Sequence, residues 1–214
     1  MMNDRNHVMT QAKRSTLKLW LILLVCLAPV LASYIAYYGL FGWRPLGGQT
    51  NYGTLIEPQR PLQGSGLQWE KLGGGELDWR HWQGKWIMVA IDSGECLEAC
   101  AEKLYAMRQI RLTTNQEQER IERLWLVNDA KPISTEILRA YDGMHVARAQ
   151  ASQLATFFPV DAGGQVSDGI YLIDPLGNLM MRFPKQANLN RMKKDVNKLL
   201  KVTSGWHNLK SERP

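Results

Sequence analysis

Only three cysteines and four histidines occur in the 214 residues. Two of the cysteines, Cys96 and Cys100, stand four apart in Ile91-Asp92-Ser93-Gly94-Glu95-Cys96-Leu97-Glu98-Ala99-Cys100, and they are the one concentration of reactive side chains. The third, Cys26, falls within an apolar run and reads as a packing residue. Clusters of Lys and Arg with interleaved aromatics are missing, which argues against nucleic acid as a partner. Of the formal charge of +6, a net +3 comes from Arg5, Lys13, Arg14 and Lys18 against Asp4, so the remainder of the chain is only mildly basic. There is no internal repeat and no low-complexity tract.

Charge is absent altogether from residues 19–40. A run of that length spans a bilayer as one helix, so residues 17–40 are predicted to be transmembrane. The basic residues before it predict a cytoplasmic head over residues 1–16 and the large domain on the far side, the periplasm of a bacterial inner membrane. Tyr34, Tyr37, Tyr38 and Trp43 suit the outer aromatic belt. Leu31-Ala32-Ser33 offers a weak cleavage site, but the apolar run continues past it, which favours an uncleaved anchor. Outside the cytoplasm the cysteine pair is oxidised unless a thiol reductant acts on it.

Residues 41–66, rich in Gly, Pro, Gln and Asn, are expected to be an extended linker. A globular domain is expected over residues 67–202 and a polar tail over 203–214. Gly73-Gly74-Gly75 predicts a small hairpin or edge element, and Trp69, Trp79, Trp82 and Trp86 read as packing residues around it, with His81 at the surface. The run from Trp86 to Ile91 is branched, aromatic and closed by Asp92-Ser93-Gly94, the pattern of a buried strand. Leu97, Cys100, Leu104, Met107, Ile110 and Leu112 then recur at helical spacing, with Glu98, Glu102, Lys103 and Arg108 between them.

A second strand is read at Leu124-Trp125-Leu126-Val127, parallel to the first. Short helices are read over residues 133–141 and 151–158, with a short strand at His145-Val146-Ala147. Ile170-Tyr171-Leu172-Ile173 and residues 179–183 form a hairpin about Asp174-Pro175-Leu176-Gly177. Residues 189–202 close the chain as an amphipathic helix with a basic outer face. The order β-α-β-α, hairpin, helix, with cysteines at the first strand-to-helix junction, is that of an α/β thioredoxin-like fold.

Cys96 at the start of that helix meets unsatisfied N–H groups and the positive dipole end, which favour a thiolate. Two thiols so placed suit a two-electron disulfide cycle, Cu(I) ligation, or a structural disulfide.

The anchor, the entry Gly84-Lys85-Trp86, the Cys96-x3-Cys100 spacing and the turn Tyr171-Leu172-Ile173-Asp174-Pro175-x-Gly177 together resemble the Sco/SenC family of thioredoxin-like proteins. The resemblance covers residues 84–200. It implies a membrane-anchored factor in cytochrome c oxidase assembly, acting on an oxidase subunit by Cu(I) transfer or by thiol reduction, with copper held by Cys96 and Cys100. In the family a histidine five residues before the hairpin tyrosine completes the copper site; here that position is Val166. The spacer Leu97-Glu98-Ala99 also lacks the usual proline. His145 is a poor replacement ligand by position, and Asp161 or Asp168 is better suited to moving a proton than to binding a soft metal. Two other readings stand beside the assembly factor: a periplasmic thiol–disulfide oxidoreductase without copper, and a non-catalytic scaffold in an oxidase assembly complex.

Overall fold

Apolar runs bounded by turn residues build the centre of a seven-stranded sheet. The computed structural model describes residues 4–38 and 51–205, in two units that divide after residue 50. The first unit is the helix α1 (Asp4–Tyr38), with Pro29 inside it. Its segment Lys18–Ile35 is the one stretch among the described residues long and apolar enough to cross a membrane, and none of it is buried within the protein. Cys26 lies exposed on it. Residues 39 and 40 of the expected span lie outside the described residues.

The second unit contains strands β1 (Thr54–Pro61), β2 (Glu70–Lys71), β3 (Trp86–Asp92), β4 (Ile121–Val127), β5 (His145–Arg148), β6 (Ile170–Ile173) and β7 (Asn178–Phe183). Helices α2 (Glu98–Thr113), α3 (Thr135–Ala140), α4 (Ala151–Phe157) and α5 (Leu189–Val202) connect and cover them. The sheet order is β1-β7-β6-β3-β4-β5-β2. β3 pairs parallel with β4 and antiparallel with β6, and β4 pairs parallel with β5.

Alternation along β3 divides the core in two. Trp86, Met88 and Ala90 join Leu104, Met107 and Ile110 of α2 and Met192, Val196 and Leu200 of α5 on one face. Ile87, Val89 and Ile91 join Trp69, Trp82, Phe158 and Tyr171 on the other. A strand buried on both faces reads as an unbroken apolar run, which is why β3 is evident in the sequence. Each such side chain contributes about 1.5–3 kcal/mol on burial.

The structure corrects the linker. Residues 41–50 of it lie outside the described residues, but residues 54–61 form an edge strand paired antiparallel with β7, with a bulge between Leu55 and Arg60. Pro58 and Pro61 are tolerated because an edge strand leaves one side of its backbone unpaired. Ile56 and Leu62 are buried beneath it, and Arg60 donates from Nη1 to the carbonyls of Thr156 and Phe157 at the end of α4. The folded unit therefore begins at Asn51 rather than at residue 67.

The tail is corrected at its start. Thr203 is buried, accepting at Oγ1 from Trp86 Nε1 (3.0 Å) and at its carbonyl from Arg120 Nη2 (2.6 Å). Residues 206–214 lie outside the described residues. Leu97 and Leu112 also leave the buried stripe of α2: Leu97 is 72% exposed and Leu112 48%.

Candidate functional site: the Cys96–Cys100 turn

The backbone leaves β3 through a turn built on carboxylates. Asp92 Oδ1 accepts from Ser93 N (2.9 Å), and Asp129 Oδ1, from the loop after β4, accepts from Gly94 N (2.9 Å). Gly94 is required by this approach, since a Cβ there would stand 2.4 Å from the carbonyl oxygen of Lys131. Burial works against the Asp129 carboxylate, but hydrogen bonds from Ser93, Gly94 and Lys131 outweigh it and hold its pKa below the ordinary value. Lys131 reaches back to Glu95 (2.6 Å), an exposed pair worth little by itself.

Cys96 follows in the left-handed region, φ +45°, a conformation that costs a non-glycine residue on the order of 1 kcal/mol or more. The turn holds it there through a hydrogen bond from its N–H to the Ser93 carbonyl (3.1 Å). Cys96 and Cys100 are joined as a disulfide, with Cα atoms 5.0 Å apart. Both sulfurs belong to the core cluster between β3 and α2, Cys96 being 7% and Cys100 1% exposed. Leu97 is the N-cap of α2 and makes no side-chain capping bond. Cys96 thus precedes the helix by two residues and Cys100 lies in its first turn, as the spacing predicts.

Beside the disulfide opens a cleft of about 620 Å³, whose lining includes Cys100, Asp92, Lys103, Asp168, Leu97 and Tyr105. Lys103 sits one turn beyond Cys100. Its ammonium meets Asp92 Oδ2 at 2.7 Å, donates to the Ile91 carbonyl (3.0 Å), and donates to the Ser167 carbonyl from the loop before β6. This cation ties the end of β3 to the loop that carries Val166. In the sequence Lys103 is one of the charges between the apolar positions of the helix, yet three after Cys100 and one before Leu104 it falls on the apolar stripe. That coincidence was the available signal.

The loop itself turns the family's ligand position away. Val166 packs against the core cluster on the opposite face of the sheet from the one containing the two cysteines. Asp168 lines the cleft; its pKa is lowered by hydrogen bonding to the Gln165 N–H and by Lys185, 2.9 Å away. Asp161 pairs with Arg182.

His145 opens β5 opposite Leu124, the middle residue of β4 and level with Val89 of β3, whereas the cysteines follow the end of β3. Its Nε2 stands 3.3 Å from Glu122 and its ring 4.5 Å from that of Trp82. His81 is exposed, its Nδ1 3.0 Å from the Asp78 carbonyl. Among the described residues, no group of three or more His, Cys, Asp or Glu is placed to hold a metal ion. Two thiols with no imidazole do not fit a Cu(II) centre, which is served by nitrogen and oxygen donors.

The Glu122 cluster gives a pH signature instead. Burial alone would raise the Glu122 pKa, but hydrogen bonds from His145 and Lys85 outweigh it and lower the value from 4.5 to about 2. The Lys85 contact is 2.5 Å, and the Glu122 side chain is only 13% exposed. A depressed carboxylate pKa stabilises the fold above pH 4.5 and loses that contribution as pH falls toward 2. After discounting for the partly exposed partners, the loss is about 2 kcal/mol. Urea unfolding of the wild type and of Glu122→Gln over that range checks it: the variant is expected to show a flatter pH dependence.

Comparison with known proteins agrees with this architecture. No curated protein matches the chain. In fold, apo Sco1 from Thermus thermophilus aligns with a TM-score of 0.51 at 17% identity, covering 72% of this chain and 99% of that one. A thioredoxin-family thiol:disulfide interchange protein from Chlorobium tepidum aligns at 0.49 and 15%, covering 66% and 95%. Copper-bound yeast Sco1 aligns at 0.47 and 15%, covering 72% and 95%. The Sco/SenC resemblance thus holds at the level of the thioredoxin-like fold. The profile for the transmembrane-like, thioredoxin-like C-terminal domain matches residues 86–203, and the chain belongs to that family.

Proposed function

We propose that this protein is a membrane-tethered, Sco-like factor that supports cytochrome c oxidase assembly through thiol–disulfide exchange at Cys96 and Cys100. The observation that carries the redox half is the Cys96–Cys100 disulfide set against a cleft at the strand-to-helix junction. The oxidase half rests on the Sco/SenC motifs in the sequence. The anchor is α1, with the folded unit in the periplasm.

In the reduced pair, the Cys96 thiolate attacks one sulfur of a partner disulfide, forming a mixed disulfide and expelling the partner's other sulfur as a thiolate, which takes up a proton. Cys100 then gives up its proton and attacks the Cys96 sulfur. That closes the Cys96–Cys100 bond and releases the second partner thiol. Two electrons pass to the partner, and a dithiol reductant must restore the pair. The greater exposure of Cys96 suits it to first contact, and the deeper Cys100 suits resolution.

The Lys103 ammonium, which lines the same cleft as Cys100, favours the thiolate form of the pair. Lys103→Met would remove it and leave the Asp92 carboxylate uncompensated in that cleft. Alkylation of the reduced protein at neutral pH is then expected to slow severalfold. The pH profile of iodoacetamide labelling of the reduced protein reads this directly. An unchanged profile would assign Lys103 a purely structural role.

A second reading, Cu(I) carriage by the reduced pair, is compatible with two soft thiolates in linear coordination. Anaerobic Cu(I) competition titration against a Cys96→Ala/Cys100→Ala control tests it. Tight one-to-one binding that vanishes in the control favours the carrier, and binding no tighter than the control removes it.

A further inference from the structure

Arg123 is a buried charge that the redox site does not use. It stands on β4 between Ile121 and Trp125, so strand alternation puts it on the sheet face that α2 covers, and it is 4% exposed. Its Nη2 donates to the Asp142 carbonyl (2.8 Å), whereas Nε and Nη1 are enclosed without a hydrogen-bond partner among the described residues. A guanidinium withdrawn from water in this way is costly unless an anion or a full set of acceptors meets it.

The nearby carboxylates are engaged elsewhere. Glu122, the next residue back along β4, faces the opposite side of the sheet and is held by Lys85 and His145. Asp142 accepts at Oδ1 from Gly143 N (2.8 Å), and Glu119, 76% exposed, meets Arg111 at 3.5 Å.

Two further guanidiniums converge on Arg123 instead. Arg108 donates from Nη1 to the Ala140 carbonyl (3.2 Å), in the same turn after α3 that offers Arg123 the Asp142 carbonyl. Arg111 donates from Nε to the Ile121 carbonyl (2.9 Å), two residues before Arg123 on β4. Burial first, and then these two cations, hold the Arg123 pKa below its ordinary value. From Arg123 through Arg111 to Arg108 the side chains grade from buried to partly buried to exposed, so the cluster runs from core to surface. Exposed Gly143 lies against its inner end, where a Cβ would stand 3.5 Å from Arg123 Nη2.

We infer that Arg108, Arg111 and Arg123 form a binding site for a phosphate-type oxyanion. None of the three lines the cleft beside the disulfide. Three guanidiniums against one exposed carboxylate leave the site positive, and their planar forks match phosphate oxygens. The ligand supplies the negative charge that Arg123 lacks.

The test titrates inorganic phosphate or glycerol phosphate, in the millimolar range, into the full chain in non-ionic detergent. Chloride keeps the ionic strength constant, and calorimetric binding is read beside the urea midpoint. Saturable one-to-one binding and a midpoint that rises with ligand are expected. Tighter binding of the first probe assigns free phosphate and of the second a phosphate ester; either supports the inference. Arg123→Met should fold at least as well without ligand, and bind about tenfold or more weakly. Arg108→Gln, at the exposed end, should fold normally and weaken binding severalfold. Binding that both variants retain in full would mean an adventitious ion only, and no binding by the wild type would leave Arg123 without an anionic partner. Either result overturns the inference.

Discussion

Replacing Cys96 or Cys100 by serine is expected to reduce thiol–disulfide exchange to background, but the two variants should fail differently. Cys100→Ser keeps the attacking thiol and removes the resolving one, so it should accumulate a mixed disulfide with a disulfide substrate. Cys96→Ser, with Cys26 replaced by serine in both variants, leaves only a thiol that is 1% exposed and should trap little. Non-reducing electrophoresis and mass spectrometry after incubation with a peptide disulfide distinguish them. The loop closed between the two cysteines is short, so chain entropy assigns the bond about 2 kcal/mol of stability. Both variants should therefore fold, and lost exchange reports chemistry rather than unfolding. Equal trapping by both would contradict the assignment of Cys96 as the attacking residue.

The largest effect on stability is expected at Asp195, far from the cysteines. Its carboxylate satisfies two backbone N–H groups at the entry to β1, and Gly53 beside it packs so tightly that a Cβ would meet Met181 and Phe183 within 3 Å. Asp195→Ala leaves those donors unpaired and loosens the edge strand, at a cost of about 3 kcal/mol. Asp195→Asn keeps the shape and one acceptor, and should cost less. Denaturant midpoints of the two variants, with unchanged m-values, would confirm the contact. A chain starting at Gly66 would lose the same anchor together with buried Ile56 and Leu62, and would leave the edge of β7 bare.

The central strands were legible because their physics is local. β3 and β6 are apolar along their length, β4 nearly so, each is bounded by turn residues, and the Asp174-Pro175-Leu176-Gly177 hairpin supplies its own geometry: Asp174 Oδ1 accepts from the N–H groups of Leu176 and Asn178. β1 was illegible for the opposite reason. Its stability comes from β7, more than a hundred residues away, and its prolines read as a linker until the pairing partner is known.

The site shows the same division. The cysteines and their place at a strand-to-helix turn were readable from spacing, and the missing histidine from the position of Val166. Lys103 and Asp195 were not recognised, although both break an apolar stripe: Lys103 in the series Cys100, Leu104, Met107, and Asp195 in the series Met192, Val196, Leu200. A charge at a core position of an amphipathic helix announces a buried partner. Which partner it finds depends on tertiary contacts with Asp92 and Ser167 in one case and with Tyr52 and Gly53 in the other.

The reduction potential of the Cys96–Cys100 pair tests the central claim most directly, measured on the full chain in glutathione buffers of graded poise and read by thiol labelling. Exchange chemistry predicts a potential between about −270 and −120 mV, the range of working dithiol proteins. A value below about −300 mV, typical of a structural disulfide, would contradict it.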